Sequence, residues 1–324
     1  MSSRKLRIAS LLPSATEIVS SLGLTSSLVG ITHECDTLPP SSHPLPVLTS
    51  TSMQNPHAMT QEQIHEEVWN SVKKGYSLYA LDPVKFAKAE PNIILTQSLC
   101  EVCALPSSSL NSALPQVTLE PAVISLEPTT LESVLQSINT VAVSCEQYDS
   151  DVVERADELI QSLRNDLTKI KDTVQLLAVD KPKVAFLEWN SPIFTGGHWI
   201  PEMVTIAGGE YEMCAPGDRS VEWTEEQLHE YDPDVIISGP CGFDEKRAQT
   251  DMREIINNSE NFKELRAVKN KRLFVADGNS FFARPGPRLI QGTGILAACI
   301  HGEAVGAELL KLGLSPNTGY NNFF

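Results

Sequence analysis

Five side chains that could ligate a metal or act as nucleophiles fall in loops that follow short apolar runs. They are His33 and Cys35 in His33-Glu34-Cys35-Asp36, Cys100 and Cys103 in Leu99-Cys100-Glu101-Val102-Cys103, and Cys241 in Pro240-Cys241-Gly242. Thiolate and imidazole are the ordinary zinc and iron donors, so Cys100-x-x-Cys103 completed by Cys35, His33 or Cys241 would make a tetrahedral site. A single C-x-x-C is a weak signal for this, because no second pair exists in the chain. A redox pair is weaker still: it needs its cysteine at a helix N-terminus, and Ala104-Leu105-Pro106 does not prolong a helix. A third chemistry is a Cys thiolate activated by His33 as a nucleophile. Cys145, Cys214 and Cys299 read as buried thiols or surface accidents.

A second set is aromatic and charged. Glu188-Trp189, His198-Trp199, Phe243 and Arg284 follow apolar runs in the second half, with Phe194 and Phe281-Phe282 nearby, in a chain only 6% aromatic. Such clustering suits a pocket for a sizeable, partly planar small molecule. For any one of these aromatics, core packing is the stronger reading. Arg284 and Arg288, set in Arg-Pro-Gly-Pro-Arg before a helix, suit a carboxylate or phosphate, or equally a structural clamp on neighbouring carboxylates. Ser14 and Gln97 end two runs in the first half. His43, His57, His65, His229 and His301 stand alone and read as bland. No G-x-x-x-x-G-K-[ST] and no G-x-S-x-G occurs, so neither a phosphate loop nor a nucleophile elbow is present.

These residues need elements to place them. Arg7 to Leu12 reads as a strand, followed by a helix with capping-box spacing at Ser14 and Glu17. Leu28 to Thr32 is a second apolar run. Pro39 to Pro56 should be irregular, with a short strand at Val47-Leu48. Thr60 and Gln63 cap a helix, and Asp82-Pro83 opens another that Glu90-Pro91 ends. The strand Asn92 to Gln97 then delivers the two cysteines. Val117 to Leu119 and Val123-Ile124 are short strand pieces, and Thr130 to Ser144 is helical. From Asp151 to Val174 apolar residues keep helical spacing without Gly or Pro. Roughly 25 residues at about 1.5 Å each make a rod of about 37 Å. The pattern then restarts: strand Val184 to Glu188, a Gly-rich loop, a helix from Trp199, a capped helix at Thr224 and Gln227, a last strand Leu273 to Ala276, and a last helix Arg288 to His301. Asp232-Pro233-Asp234-Val235-Ile236-Ile237 mirrors Glu90-Pro91-Asn92-Ile93-Ile94-Leu95.

Apolar strands alternating with helices predict an α/β protein with mainly parallel sheets. Two Rossmann-like lobes are expected, residues 1–150 and 178–324, joined by one long backbone helix over 151–177, with a ligand cleft between them. Ligands in such sheets bind beyond the strand carboxyl ends. Acidic residues outnumber basic by 41 to 25, which argues against nucleic acid or an anionic membrane as partner. No apolar run approaches membrane-spanning length. With no signal peptide visible and seven cysteines, an odd number, the expectation is reduced thiols and a cytoplasmic place.

Several stretches resemble the periplasmic-binding-protein family that carries cobalamin and iron–siderophore complexes. They are Ile8-Ala-Ser-Leu-Leu-Pro-Ser-Ala-Thr-Glu-Ile18, Leu28-Val-Gly-Ile-Thr-His-Glu-Cys-Asp36, Leu95-Thr-Gln-Ser-Leu-Cys-Glu-Val-Cys-Ala104, Phe186-Leu-Glu-Trp189, Gly197-His-Trp-Ile-Pro-Glu-Met203, Gly239-Pro-Cys-Gly-Phe243 and Arg284-Pro-Gly-Pro-Arg288. The resemblance covers most of the chain and lies nearest the cobalamin-binding, ABC-transporter substrate-binding branch. It implies two α/β lobes on one long helix, and it places Ser14, Glu17, His33, Cys35, Cys100, Cys103, Glu188, Trp189, His198, Trp199, Cys241 and Arg284 in matching motifs. It also implies a transporter partner, against which the missing export signal weighs. The leading reading is an intracellular binding protein, rather than an enzyme, for cobalamin or another metal chelate. Trp189, Trp199 and Phe243 would give apolar contact; His33, Glu34, Cys35, Gln97 and Cys241 the metal or polar rim; Arg284 an acidic side group. Two alternatives stay open: direct zinc or iron binding through the Cys/His cluster, and a thiol-dependent small-molecule enzyme on the same scaffold.

Overall fold

The computed structural model describes residues 5–38, 44–74, 76–97, 110, 112–117, 120–178, 180–316 and 318–324. The chain forms two compact units. Unit 1 comprises Met1–Met59, Glu66–Pro128 and Glu132–Gln161, and unit 2 comprises Thr60–His65, Thr129–Leu131 and Ser162–Phe324.

The strands of unit 1 are β1 (Ile8–Ser10), β2 (Leu28–Gly30), β3 (Thr49–Thr51), β4 (Tyr79–Leu81), β5 (Ile93–Thr96) and β6 (Ala122–Ser125). Four make a parallel sheet in the order β2-β1-β5-β6, while β3 and β4 pair as a separate antiparallel ribbon. Ile8, Ala9, Ile94 and Leu95 are wholly buried, as central strands covered on both faces require; hence their unbroken apolar runs. The sheet order reverses direction between β1 and β5, so the crevice beyond their carboxyl ends is a topological switch point. Val117 closes a short turn, Leu114–Gln116, instead of opening a strand; Thr118 and Leu119 lie outside the described residues.

Unit 2 contains β7 (Val184–Asn190), β8 (Ile193–Thr195), β9 (Glu222–Trp223), β10 (Val235–Ser238), β11 (Leu273–Ala276) and β12 (Tyr320–Asn322), in the order β12-β11-β10-β7-β8-β9. Only β7, β10 and β11 run parallel; β8, β9 and β12 are antiparallel additions. The expected Gly-rich loop therefore begins with a hairpin. Strand β11 is not the last strand, nor is the helix Leu289–His301 the last helix, since Glu303–Lys311 follows it. Elements of two or three residues carry too little periodicity to register in a sequence.

The mirrored acid-Pro motifs are the same device in both units. Glu90 and Asp232 each end a helix with positive φ, 41° and 44°, their N–H groups bonding Ala87 O and Leu228 O. Two residues on, Asn92 Oδ1 accepts the Arg7 N–H and Asp234 Oδ2 accepts the Lys183 N–H, both at 2.9 Å. The amides of Asn92 and Ile93 bond Arg7 O, and those of Asp234 and Val235 bond Lys183 O. Each motif thus stitches the start of β5 or β10 to the residue just before β1 or β7, fixing parallel register.

Of the capping boxes, Thr60/Gln63 and Thr224/Gln227 form as expected. Ser14 does not cap. The helix Pro13–Ser21 starts one residue earlier, with Pro13 in its first turn and Leu12 as N-cap, because proline's fixed φ suits the first helical position. Ser14 and Glu17 then lie inside the helix and are buried.

The long helix runs over Val152–Leu177. Its residues to Gln161 count with unit 1 and the rest with unit 2. Val152, Ala156, Ile160, Leu163, Ile170 and Val174 form its buried stripe. Segment Thr60–His65 is tied into unit 2 by buried polar groups. Gln61 Nε2 donates to Asp251 Oδ2, and Gln61 Oε1 accepts the Asn190 N–H at 2.6 Å. Asn190 Nδ2 donates to Asp251 at 3.3 Å, and Ser238 Oγ donates to Asn190 Oδ1 at 2.9 Å.

Candidate functional site

In unit 1, residues after β1 and β2 build a chain of hydroxyls and one thiol. Ser10 Oγ donates to Leu12 O at 3.0 Å and accepts from Thr16 Oγ1 at 2.8 Å. Cys35 Sγ lies 3.1 Å from Thr16 Oγ1 and 3.3 Å from Thr32 Oγ1. With the Thr16 proton directed at Ser10, Thr16 accepts the Cys35 S–H. Thr32 Oγ1 accepts the Glu34 N–H at 3.1 Å, leaving its own proton to point at the sulfur. The half-buried thiol is thus oriented by two hydroxyls.

His33 is set by the ribbon. Its Nδ1 lies 2.8 Å from Thr49 Oγ1 on β3, an oxygen that also accepts the His33 N–H at 3.2 Å, and its ring packs 5.3 Å from that of Tyr79 on β4. Among the described residues the buried Nε2 forms no hydrogen bond, although the Glu34 carboxylate stands 3.4 Å away. Burial pushes the His33 pKa down; Glu34 opposes this less strongly. Ser14 is buried, Gln97 after β5 is half-buried, and Glu34 is half-exposed. Cys100 and Cys103 lie outside the described residues.

In unit 2, Glu188 Oε2 on β7 accepts from Ser220 Oγ at 2.9 Å, and Glu188 O accepts the Cys241 N–H at 3.1 Å. Ser220 Oγ in turn accepts the Gly197 N–H at 3.2 Å. His198 follows in a left-handed conformation, φ 51°, held by His198 N–H to Asp218 O and Gly217 N–H to His198 O. Its buried Nδ1 has no hydrogen-bond partner among the described residues, and burial, then Arg219, lowers its pKa. Trp189 donates Nε1–H to Ser191 O at 3.0 Å and meets Phe243 edge-on at 5.5 Å. Phe243, only 2% exposed, carries the Arg247 guanidinium 3.7 Å above its ring. Trp199, only 6% exposed, donates Nε1–H to Phe282 O at 2.8 Å. Phe243 and Trp199 therefore brace the loops from the core side. Arg284 is buried and donates to Asn279 Oδ1 at 2.9 Å.

The unit 1 residues Ser14, His33, Glu34, Cys35 and Gln97 thus follow β1, β2 and β5. The unit 2 residues Glu188, Trp189, His198, Trp199, Cys241, Phe243 and Arg284 lie on or after β7, β8, β10 and β11. Among the described residues no three His, Cys, Asp or Glu side chains stand together to hold an ion. The described cysteines, Cys35, Cys145, Cys214, Cys241 and Cys299, are free thiols. Sequence reasoning missed the hydroxyls Thr16, Thr32, Thr49 and Ser220, which have no motif of their own. Two open concavities, about 500 Å³ lined in part by Lys5, Leu24 and Tyr148, and about 360 Å³ around Leu176 and Glu308, include no residue from a strand carboxyl end.

Comparison with known proteins places this fold. A curated relative, the uncharacterized ABC transporter substrate-binding lipoprotein YvrC of Bacillus subtilis (strain 168), is 25% identical over 305 residues, covering 91% of this chain and 80% of the relative. A possible iron-binding (periplasmic solute-binding) protein from Staphylococcus epidermidis shares the fold at TM-score 0.64 and 22% identity, covering 91% of this chain and 98% of the other. The periplasmic vitamin B12 binding protein BtuF of Vibrio cholerae does so at TM-score 0.59 and 19% identity, covering 91% and 96%. Lipoproteins and periplasmic proteins work outside the cytosol, which overturns the expectation of a cytoplasmic, intracellular place. That expectation rested on the N-terminal stretch and the odd cysteine count; the apolar run at Ile8 is core strand β1, and neither feature decides a compartment. Residues 111–279, more than half of the chain, match the periplasmic binding protein pattern, and the chain belongs to that family.

Proposed function

We propose that this protein binds a small-molecule metal chelate, of the cobalamin or iron-chelate class, and presents it to a membrane ABC transporter. One observation carries the reading: burial lowers the pKa of His33 and of His198, and among the described residues the buried His33 Nε2 and His198 Nδ1 form no hydrogen bond, Glu34 standing 3.4 Å from the former. An unsatisfied buried polar atom costs about 1–3 kcal/mol. A chelated metal with an open coordination position, or a hydrogen-bonding group on the chelate's rim, removes that cost. Cys35 adds a soft donor oriented by two hydroxyls, and Trp189 an aromatic edge. The relatives named for vitamin B12 and iron support the ligand class, and the lipoprotein relative supports delivery to a transporter. The test is titration with aquocobalamin, haemin and ferric citrate, followed by absorbance and tryptophan quenching. Saturable binding by at least one is expected, weakened in His33→Ala and His198→Ala. No saturation below about 100 μM, weaker than about −5.5 kcal/mol, refutes the reading.

A further inference from the structure

We propose that Ser220 is a positioning residue that couples the Glu188 carboxylate to the turn carrying His198, so that these two groups respond to ligand as one unit. Its ligand readout rests on the binding reading above; its structural readout does not. Ser220 has one hydroxyl proton and two lone pairs. The proton goes to Glu188 Oε2 and a lone pair takes the Gly197 N–H. The turn at Gly197 lies flush on the backbone of residues 218–220. A Cβ at Gly197 would stand 2.4 Å from Ser220 N, 2.7 Å from the Arg219 carbonyl carbon and 2.7 Å from Asp218 O. Further backbone bonds lace the same two segments: Thr195 N–H to Val221 O, His198 N–H to Asp218 O, and Gly217 N–H to His198 O. Segment 217–221 therefore cannot shift without moving the His198 turn, and Ser220 is where that segment grips Glu188.

The test pairs Ser220→Ala with Ser220→Thr, which keeps the hydroxyl. In the ligand-free full chain, Ser220→Ala is expected to speed exchange of the Gly197 amide roughly tenfold, as loss of one hydrogen bond allows. It should also move the Glu188 carboxyl carbon resonance, assigned with Glu188→Gln, and Ser220→Thr should restore both. With aquocobalamin or haemin as probe, Ser220→Ala should weaken binding about fivefold to tenfold in the wild-type background and less than about twofold in Glu188→Gln, the signature of coupling. An unchanged Gly197 exchange rate, an unmoved Glu188 resonance, or an equal cost in both backgrounds overturns the proposal. If neither probe binds the wild type, the binding reading fails, while Ser220 is still judged by the ligand-free measurements.

Discussion

Replacing Gln61 by leucine tests the buried polar tie in unit 2. Leucine is close to glutamine in volume, so the change removes hydrogen bonds without opening a large cavity. Gln61 is 1% exposed and Asn190 3%, so water cannot take over the lost bonds. Two groups are orphaned. The Asn190 N–H loses the Gln61 Oε1 acceptor at 2.6 Å, which costs about 1–3 kcal/mol for a buried donor. The Asp251 carboxylate loses the Gln61 Nε2 donor, a charge-assisted bond of about 1.5–3 kcal/mol. Asn190 Nδ2 remains on Asp251, and burying an aliphatic group in place of an amide returns about 1 kcal/mol. The net destabilisation is about 1.5–5 kcal/mol. At a urea slope near 2 kcal/mol/M, the midpoint should fall by about 0.75–2.5 M. Tryptophan fluorescence reads this well, since Trp189, Trp199 and Trp223 lie in unit 2 and only Trp69, half-exposed, in unit 1. A variant within about 0.5 kcal/mol of wild type would refute the claim that these bonds hold segment Thr60–His65 in place.

Further outcomes follow from the same region and its neighbours. Burial raises the Asp251 pKa above its ordinary 3.8, so its contribution to stability is fully present below pH 3.8 and lost as pH rises through the folded value. Unfolding curves of wild type and Asp251→Asn, measured across that window, should diverge in favour of the variant as pH rises; parallel curves would count against it. His301 behaves oppositely: burial holds it below 6.5, so the native chain binds fewer protons than the unfolded one and stability falls as pH drops below 6.5. His301→Gln, which can still donate to Ala207 O, should flatten that acid limb. Gly278→Ala places a Cβ 2.2 Å from Pro240 O and 2.4 Å from Gly239 O. Because backbone must move, a loss of about 2 kcal/mol or more is expected in urea denaturation.

The central strands and long helix were legible because their signals are long or doubly buried. Ile93 to Leu95 and Val235 to Ile237 are continuous apolar runs, and the helix Val152–Leu177 keeps its stripe for seven turns. The mirrored acid-Pro motifs were legible too, since each does a single local job. Ser14 was misread because Pro13, one residue earlier, already starts the helix. Strands β8, β9 and β12 were invisible because each is stabilised by pairing with a partner already in place, not by its own pattern.

The site shows the same division in sharper form. Composition marked His33, His198 and Glu188, but not the hydroxyls that hold them, since Thr49 meets His33 from 16 residues away and Ser220 meets Glu188 from 32. Those meetings are set by sheet order, which no local spacing encodes. Burial alone does not separate the histidines of the proposed ligand site from structural ones either. His301 reads as bland in the sequence, and burial depresses its pKa in the same direction as those of His33 and His198. Yet His301 Nε2 bonds the Ala207 carbonyl at 3.0 Å, at the end of the helix Ile200–Ile206, which gives that nitrogen a structural task. Among the described residues His33 Nε2 and His198 Nδ1 are buried and form no hydrogen bond, with the Glu34 carboxylate 3.4 Å from the former. Arg272 Nε, just before β11, is also buried and forms no hydrogen bond among the described residues, so an orphaned nitrogen by itself marks no site. The two histidine nitrogens differ in lying in loops after β2 and β8, where the proposed function would have a ligand supply the partner.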